Sequence, residues 1–435
     1  MPAPARGRGG VFLQIPRRVV LVPKIQIIDV TNRDGDQTAR VVLSKLQKTV
    51  INWMLDQMGV YQSEMGFPIS PHERRYINAN IELTTECNDQ GPLIKHLQLS
   101  GWCRALASDV EQALQNTNLQ HFNLSISTSE QMLRWKFRGK FSRTDIVKMT
   151  VDAVVAAREG GAVTVGVNAE DASRTDLDFL VEFAAAGRDA GADRFRYCDT
   201  LGHDDPETIA SRVRVIAREV GIPIEMHCHN DLGLAVANSC AGAVAVCEEG
   251  VDAYINTTVN GIGERAGNAD LVSCILALKF SSRWGDLGLL DERIDLSKAW
   301  RLCNYTADAF GVPIPITQPG VGSNAFAHES GIHADGALKD RHNYELYDFE
   351  MLGRGEKIEI PTGRIILTGA HGGVAGLEYV YAQMDLGFRD EEHKRETLRL
   401  CQFANLHNQA PLTPEELWLI YHYPAQVREI LTYVP

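Results

Sequence analysis

The chain has 435 residues, 44% hydrophobic and 23% charged, an ordinary globular composition with room for two or three domains. A net charge of -13 argues against a nucleic-acid or anionic-membrane surface, and no run of about 18 apolar residues is present to span a membrane. Nine cysteines without a CxxC pair speak against a disulfide framework and for a reducing, cytoplasmic setting.

Residues 1–23 carry Arg6, Arg8, Arg17 and Arg18 between short apolar patches, lack a signal-peptide core, and read as a leader. From Lys24 a strand–helix rhythm begins. Strands are expected at Lys24–Val30, Val60–Gly66, Leu97–Arg104, His121–Thr128, Ala162–Asn168, Arg194–Asp199, Pro223–His229 and Val251–Thr257. Helical patterns separate them, among them Leu43–Gly59, Thr144–Glu159, Pro206–Val220 and Leu234–Glu249. Such units pair as right-handed βαβ crossovers, and eight of them in about 250 residues imply a closed (β/α)8 TIM barrel, an α/β fold. An open doubly wound sheet is the alternative, weakened by the lack of a G-x-G-x-x-G after an early strand. The expected domains are the barrel over 24–290, a linker over 291–320 and a small, mainly helical domain over 321–435. The linker includes a helix at Asp295–Phe310 and then the Pro/Gly-rich passage Val312–Gly320.

In a barrel the reactive groups gather at the C-terminal ends of the strands. The seventh strand ends in His227-Cys228-His229, and residues i and i+2 of a strand share a side, so both imidazoles can hold one cation. The first ends in Asn32-Arg33-Asp34-Gly35-Asp36-Gln37, where Asp34 is a further ligand and Arg33 stabilises an oxyanion. Glu64 falls at the mouth of the second strand, Asn168 and Glu170 at the fifth, and Thr200 at the sixth. The eighth leads into Gly261-Ile262-Gly263-Glu264-Arg265-Ala266-Gly267-Asn268, whose glycines let the backbone close in and bring the Asn268 amide oxygen to the metal. Asp34, His227, His229 and Asn268 form a mixed nitrogen and oxygen set suited to Mg2+, Mn2+ or Zn2+. Each residue alone has a structural reading as a cap or surface pair. Polar residues at six strand ends in register with one barrel are harder to explain that way.

The NRDGDQ, HCHND and GIGERAGN segments resemble the signatures of the metal-dependent acyl-CoA condensing enzymes of the TIM-barrel type. These are the isopropylmalate, homocitrate and Re-type citrate synthases, with hydroxymethylglutaryl-CoA lyases as more distant relatives. The segment Phe326–Gly336 resembles the one that carries a catalytic histidine in the synthases, which implies that role for His333, with Tyr344 following at a similar spacing. The resemblance implies a Claisen condensation of acetyl-CoA with a 2-oxo acid. It implies Arg33, Glu170, His333 and Tyr344 as catalytic residues, and a homodimer in which the C-terminal domain reaches the partner's site. A barrel that binds acyl-CoA without catalysis is the rival, but it would be expected to have lost a metal ligand. A lyase of the same barrel would not need His333.

The Glu170-Asp171 segment also departs from the homocitrate synthases. Gly166 and Asn168 stand where those enzymes carry the Arg and Ser that hold the distal carboxylate of 2-oxoglutarate. With Asn32-Arg33-Asp34 and the Gly166–Asp171 run, the chain looks like the Re-type citrate synthase and phosphonomethylmalate synthase branch. The expected partner is therefore oxaloacetate or phosphonopyruvate, with homocitrate synthase, isopropylmalate synthase or a hydroxyacyl-CoA lyase as the alternatives. Substrate contacts are expected from Arg33, Glu64, Arg104, Asn168 and Thr200. Arg104 leads as the distal-anion group, followed by His72 and Arg75.

Overall fold

A computed structural model describes residues 22–85, 90–355 and 366–432. The expected leader therefore lies outside the described residues, apart from Val22 and Pro23. Eight strands, β1 (Ile25–Asp29), β2 (Gln62–Gly66), β3 (Gln98–Arg104), β4 (His121–Ser127), β5 (Thr164–Glu170), β6 (Arg194–Asp199), β7 (Ile224–Cys228) and β8 (Ala253–Thr257), follow one another in parallel. They close into a barrel in chain order, β8 returning to β1 with Ile25 opposite Ala253 and Asp29 opposite Thr257. The α/β barrel expected from the strand–helix rhythm is the observed fold.

Alternation along the strands sorts their side chains. On β6, Phe195 and Tyr197 face outward and are fully buried under the helices, while Arg194 and Arg196 point into the lumen. On β7, Ile224 and Met226 pack outward and Glu225 and His227 point inward. The lumen is thus filled by a polar network in place of the usual branched aliphatic layers. Arg194 donates to Gln62, Asn123 and Glu225, and Arg196 donates to Glu64 and Glu225. A buried charge is tolerable only when paired and hydrogen-bonded, and here each guanidinium meets carboxylates from other strands.

Beyond β8 the helix Ala299–Phe310 buries one face against the barrel helix Lys45–Gln57. The last helices, Pro414–His422 and Pro424–Leu431, also lie on the barrel helices Lys45–Gln57 and Pro71–Glu82. Trp418 stacks on Trp53 with ring centres 4.9 Å apart, and Arg75 pairs with Glu429 at 2.9 Å. By contrast the helix Gly331–Lys339 has no buried residue and leaves Ile332 and Leu338 exposed. No helix among the described residues is long and apolar enough to cross a membrane.

Candidate active site

The strand ends converge on a cavity of about 340 Å³. It is lined by Arg33, Asp34, Trp102, Lys136, Asn168, Glu170, Arg196, Thr200, His227, His229 and Arg265, among others. After β1 the chain turns sharply, with the Asp34 and Gly35 amides both donating to the Val30 carbonyl, which presents Asp34 upward. After β8 the loop is zipped to the end of β7. The Asn230 amide donates to the Gly267 carbonyl, and His229 and Asn268 pair as an isolated bridge. A Cβ at Gly263 would collide with the Asn268 amide oxygen, so the glycine is what lets Asn268 reach inward.

Asp34, His227 and His229 therefore meet, with their ligand atoms within 4.8 Å of one another and all three residues buried. The Nε2 atoms of His227 and His229 stand 3.5 and 3.8 Å from Asp34 Oδ2. The Asn268 amide donates to the same oxygen at 2.6 Å, and its own Oδ1 is buried without a partner. The Nδ1 of His227 lies 3.1 Å from Asn256 Oδ1, so an Nδ1–H donated there leaves the Nε2 lone pair free. Burial holds both histidines below the usual imidazole range, in the neutral form that ligates. Burial opposes the charge on Asp34, but the Arg33 guanidinium and the hydrogen bond from Asn268 favour it, and the carboxyl is held well below its ordinary value. An anionic oxygen and two free imidazole nitrogens together suit a divalent cation, while Asn268 meets the set through its amide nitrogen on Asp34, its oxygen lying against Gly263.

Arg33 is anchored on both sides, its Nη1 on Asp34 at 3.0 Å and its Nε on Glu64 at 2.5 Å. Glu64 does not face the cavity as a substrate contact. Its carboxylate is fully buried and accepts from Arg33, Arg196 and Asn123, so it clamps the two arginines. Burial works against its ionisation, yet Arg196 and Arg33 pull its pKa down to about 2. Thr200 and Asn168 do line the cavity, and both polar atoms of the Asn168 amide are buried without a partner. Glu170 also lines it, held by Ser127 at 2.6 Å and by the Lys136 ammonium at 2.6 Å.

Arg104 lies outside this cavity. Its side chain turns to the surface, 57% exposed, and grips Asp109 through two hydrogen bonds of 2.7 and 2.9 Å. A strand-end position did not decide its direction, because the acidic residue five positions on captures it. Arg75 is bound to Glu429, and the His72 ring lies 3.3 Å from the Thr432 carbonyl oxygen, so neither lines the cavity. His333 and Tyr344 stack on each other with ring centres 4.2 Å apart and stand exposed, not among the residues lining the barrel cavity. Arg196 and Lys136 are the residues that sequence reasoning missed. The alternation Arg194-Phe195-Arg196-Tyr197 was a legible signal for a lumen-facing arginine. Lys136, at the end of the short helix Glu130–Trp135, had none.

The HMGL-like family model matches residues 24–305. The chain belongs to that family. A model described as homocitrate synthase post-HMGL domain-like matches residues 321–408. Citrate (Re)-synthase of Dehalococcoides mccartyi (strain CBDB1) is 52% identical over 414 residues, covering 95% of this chain and 99% of that one. 2-Isopropylmalate synthase 2 of Caldanaerobacter subterraneus subsp. tengcongensis is 38% identical over 397 residues, 91% of this chain and 95% of that one. Among solved structures, hydroxymethylglutaryl-CoA lyase from Pseudomonas aeruginosa has a TM-score of 0.53 at 18% identity, covering 67% of this chain and 95% of that chain. That likeness is one of fold.

Proposed function

We propose that this enzyme condenses acetyl-CoA with a short anionic 2-oxo acid, oxaloacetate foremost, to give citrate and free CoA. The observation that carries the reading is the Asp34, His227 and His229 cluster opening beside Arg33 into one polar cavity. Identity of 52% to a citrate (Re)-synthase over nearly both full lengths supports oxaloacetate. Phosphonopyruvate, giving phosphonomethylmalate, has the same 2-oxo acid head and an anionic tail, and is the second choice.

A divalent cation held by Asp34, His227 and His229, with the Asn268 amide beside them, would supply Lewis-acid polarisation of the 2-oxo group. Mg2+ or Mn2+ suits the carboxylate-containing set, with Zn2+ as a third choice. The chain's own residues account for the rest. Thr200 and Asn168 orient the 2-oxo acid. A base takes a proton from the acetyl methyl group, and the methyl carbon forms a bond to C2. Negative charge that builds on the C2 oxygen faces the Arg33 guanidinium, which Glu64 and Asp34 hold in place. That oxygen gains a proton to become the product hydroxyl, and water cleaves the thioester to release CoA. His333 and Tyr344 are assigned to proton handling together with Glu170. Because both stand away from their own chain's cavity, they are taken to serve the partner subunit of a homodimer. The exposed Ile332 and Leu338 beside them suit such burial.

The test is release of CoA thiol from acetyl-CoA with Mg2+ or Mn2+ and a panel of oxaloacetate, phosphonopyruvate, 2-oxoglutarate and 2-oxoisovalerate. Oxaloacetate is expected to give the highest kcat/KM. Thiol release with none of the four would remove the synthase reading, and a tenfold preference for 2-oxoisovalerate would remove the anionic one.

A further inference from the structure

A 2-oxo acid with a second anionic group needs a cation at its far end, since a buried unpaired charge costs several kcal/mol. The position of the missing arginine, Gly166, is closed to any side chain. A Cβ there would stand 2.6 Å from Asn123 Oδ1 and 3.5 Å from the Arg194 side chain, which crosses the lumen at that level to Gln62. The compensating charge must come from another element.

Four Lys and Arg side chains line the cavity. Arg33 is spent on Asp34 and Glu64. Arg196 is only 1% exposed and is spent on Glu64 and Glu225. Arg265 is spent on Asp231 and the Thr200 carbonyl. These five groups act as fixed partners whose release would leave buried or loop charges unpaired. Lys136 differs. Its ammonium rests on Glu170, with both oxygens within 2.7 Å, and on Ser127 at 3.1 Å, and it is 46% exposed at the cavity rim. The carboxylate it holds itself lines the cavity, so an incoming anion can share the ammonium without stripping it from a structural partner. Asn168 lies two residues before Glu170 on β5, on the same side of the strand, and its amide is buried without a partner.

We infer that Lys136 is the specificity-determining residue for the distal anion of the 2-oxo acid, with the Asn168 amide as its second donor. The inference rests on the proposed condensation and deepens it. The ammonium bridges Glu170 and the substrate's far carboxylate or phosphonate, and the arginine absent at position 166 is replaced from the β4-to-β5 connection. The long stem of Lys136 reaches over the strand end, whereas a side chain at 166 would have to displace Arg194.

The experiment compares kcat/KM for oxaloacetate with that for 2-oxobutyrate, which is nearly the same size and lacks the distal charge. In Lys136→Met the ratio of the two is expected to fall at least tenfold, about 1.4 kcal/mol of differential transition-state binding, a modest figure because the ammonium is half exposed. Lys136→Arg is expected to keep the ratio within about threefold of wild type, since the charge remains. A phosphonopyruvate arm distinguishes the two anion chemistries, and whichever acid the wild type prefers should show the larger loss. A fall of less than tenfold in Lys136→Met, or equal losses on charged and uncharged acids, would overturn the assignment and leave Lys136 acting only through Glu170. Failure of the underlying reading looks different: the wild-type protein itself would then turn over neither oxaloacetate nor phosphonopyruvate.

Discussion

Replacing Glu64 with glutamine removes one charge from the barrel floor while keeping the volume. The carboxylate holds Arg33 at 2.5 Å and Arg196 at 2.8 Å, and it accepts from the Asn123 amide at 2.7 Å. Breaking a buried ion pair by removing one partner costs about 3–5 kcal/mol. Arg196 keeps Glu225 and Arg33 keeps Asp34, so the low end, about 3 kcal/mol, applies here. The proton linkage leads to a similar figure. A drop from 4.5 to about 2 in the carboxyl pKa is worth roughly 3 kcal/mol. Its sign follows from proton counts. Between those two values the unfolded chain binds the proton and the folded chain does not, so the contribution is complete above pH 4.5 and is lost as pH falls toward 2. Urea unfolding followed by circular dichroism should therefore show Glu64→Gln less stable by about 3 kcal/mol at pH 7, with the gap narrowing below pH 4.5. Turnover should fall as well, because the Arg33 guanidinium loses its Nε anchor. A gap below about 1 kcal/mol at pH 7, or one that does not change with pH, would refute the clamp.

Two further substitutions bear on the site. His227→Ala should lose divalent-metal binding, read by titration calorimetry with Mn2+, while the far-ultraviolet dichroism of the barrel is retained; Asn256→Ala should weaken that binding by about 10–100-fold through loss of the Nδ1 partner. Retained Mn2+ affinity in His227→Ala would dissolve the proposed ligand set. For the shared dimer site, His333→Ala and His227→Ala should each be inactive alone. Refolded together at equal amounts they should recover about a quarter of wild-type turnover, because half the dimers then carry one intact site. No recovery, with mixed dimers demonstrated by mass, would place His333 outside the partner's chemistry.

Which features were legible in the sequence follows from how local their causes are. Strand alternation and helical periodicity act over a few residues, so all eight strands of the barrel could be read within a few residues of their observed ends. The same locality put His227 and His229 on one side of β7 and Asp34 just past β1. Given a closed barrel, their meeting within 4.8 Å followed from strand ends sharing one rim. Direction and partnership of the long charged side chains were another matter. Arg104 ends a strand yet is drawn outward by Asp109, while Glu64, within β2, is consumed by Arg33 from the turn after β1 and by Arg196 from β6. Lys136 sits at the end of a helix of six residues with nothing in its neighbourhood to mark it, and it becomes a cavity cation only because Glu170 stands opposite. Backbone period is a property of consecutive residues. The partners of Glu64, Arg196 and Lys136 are fixed by what the closed barrel places opposite them, and for these residues that choice was made by tertiary structure alone.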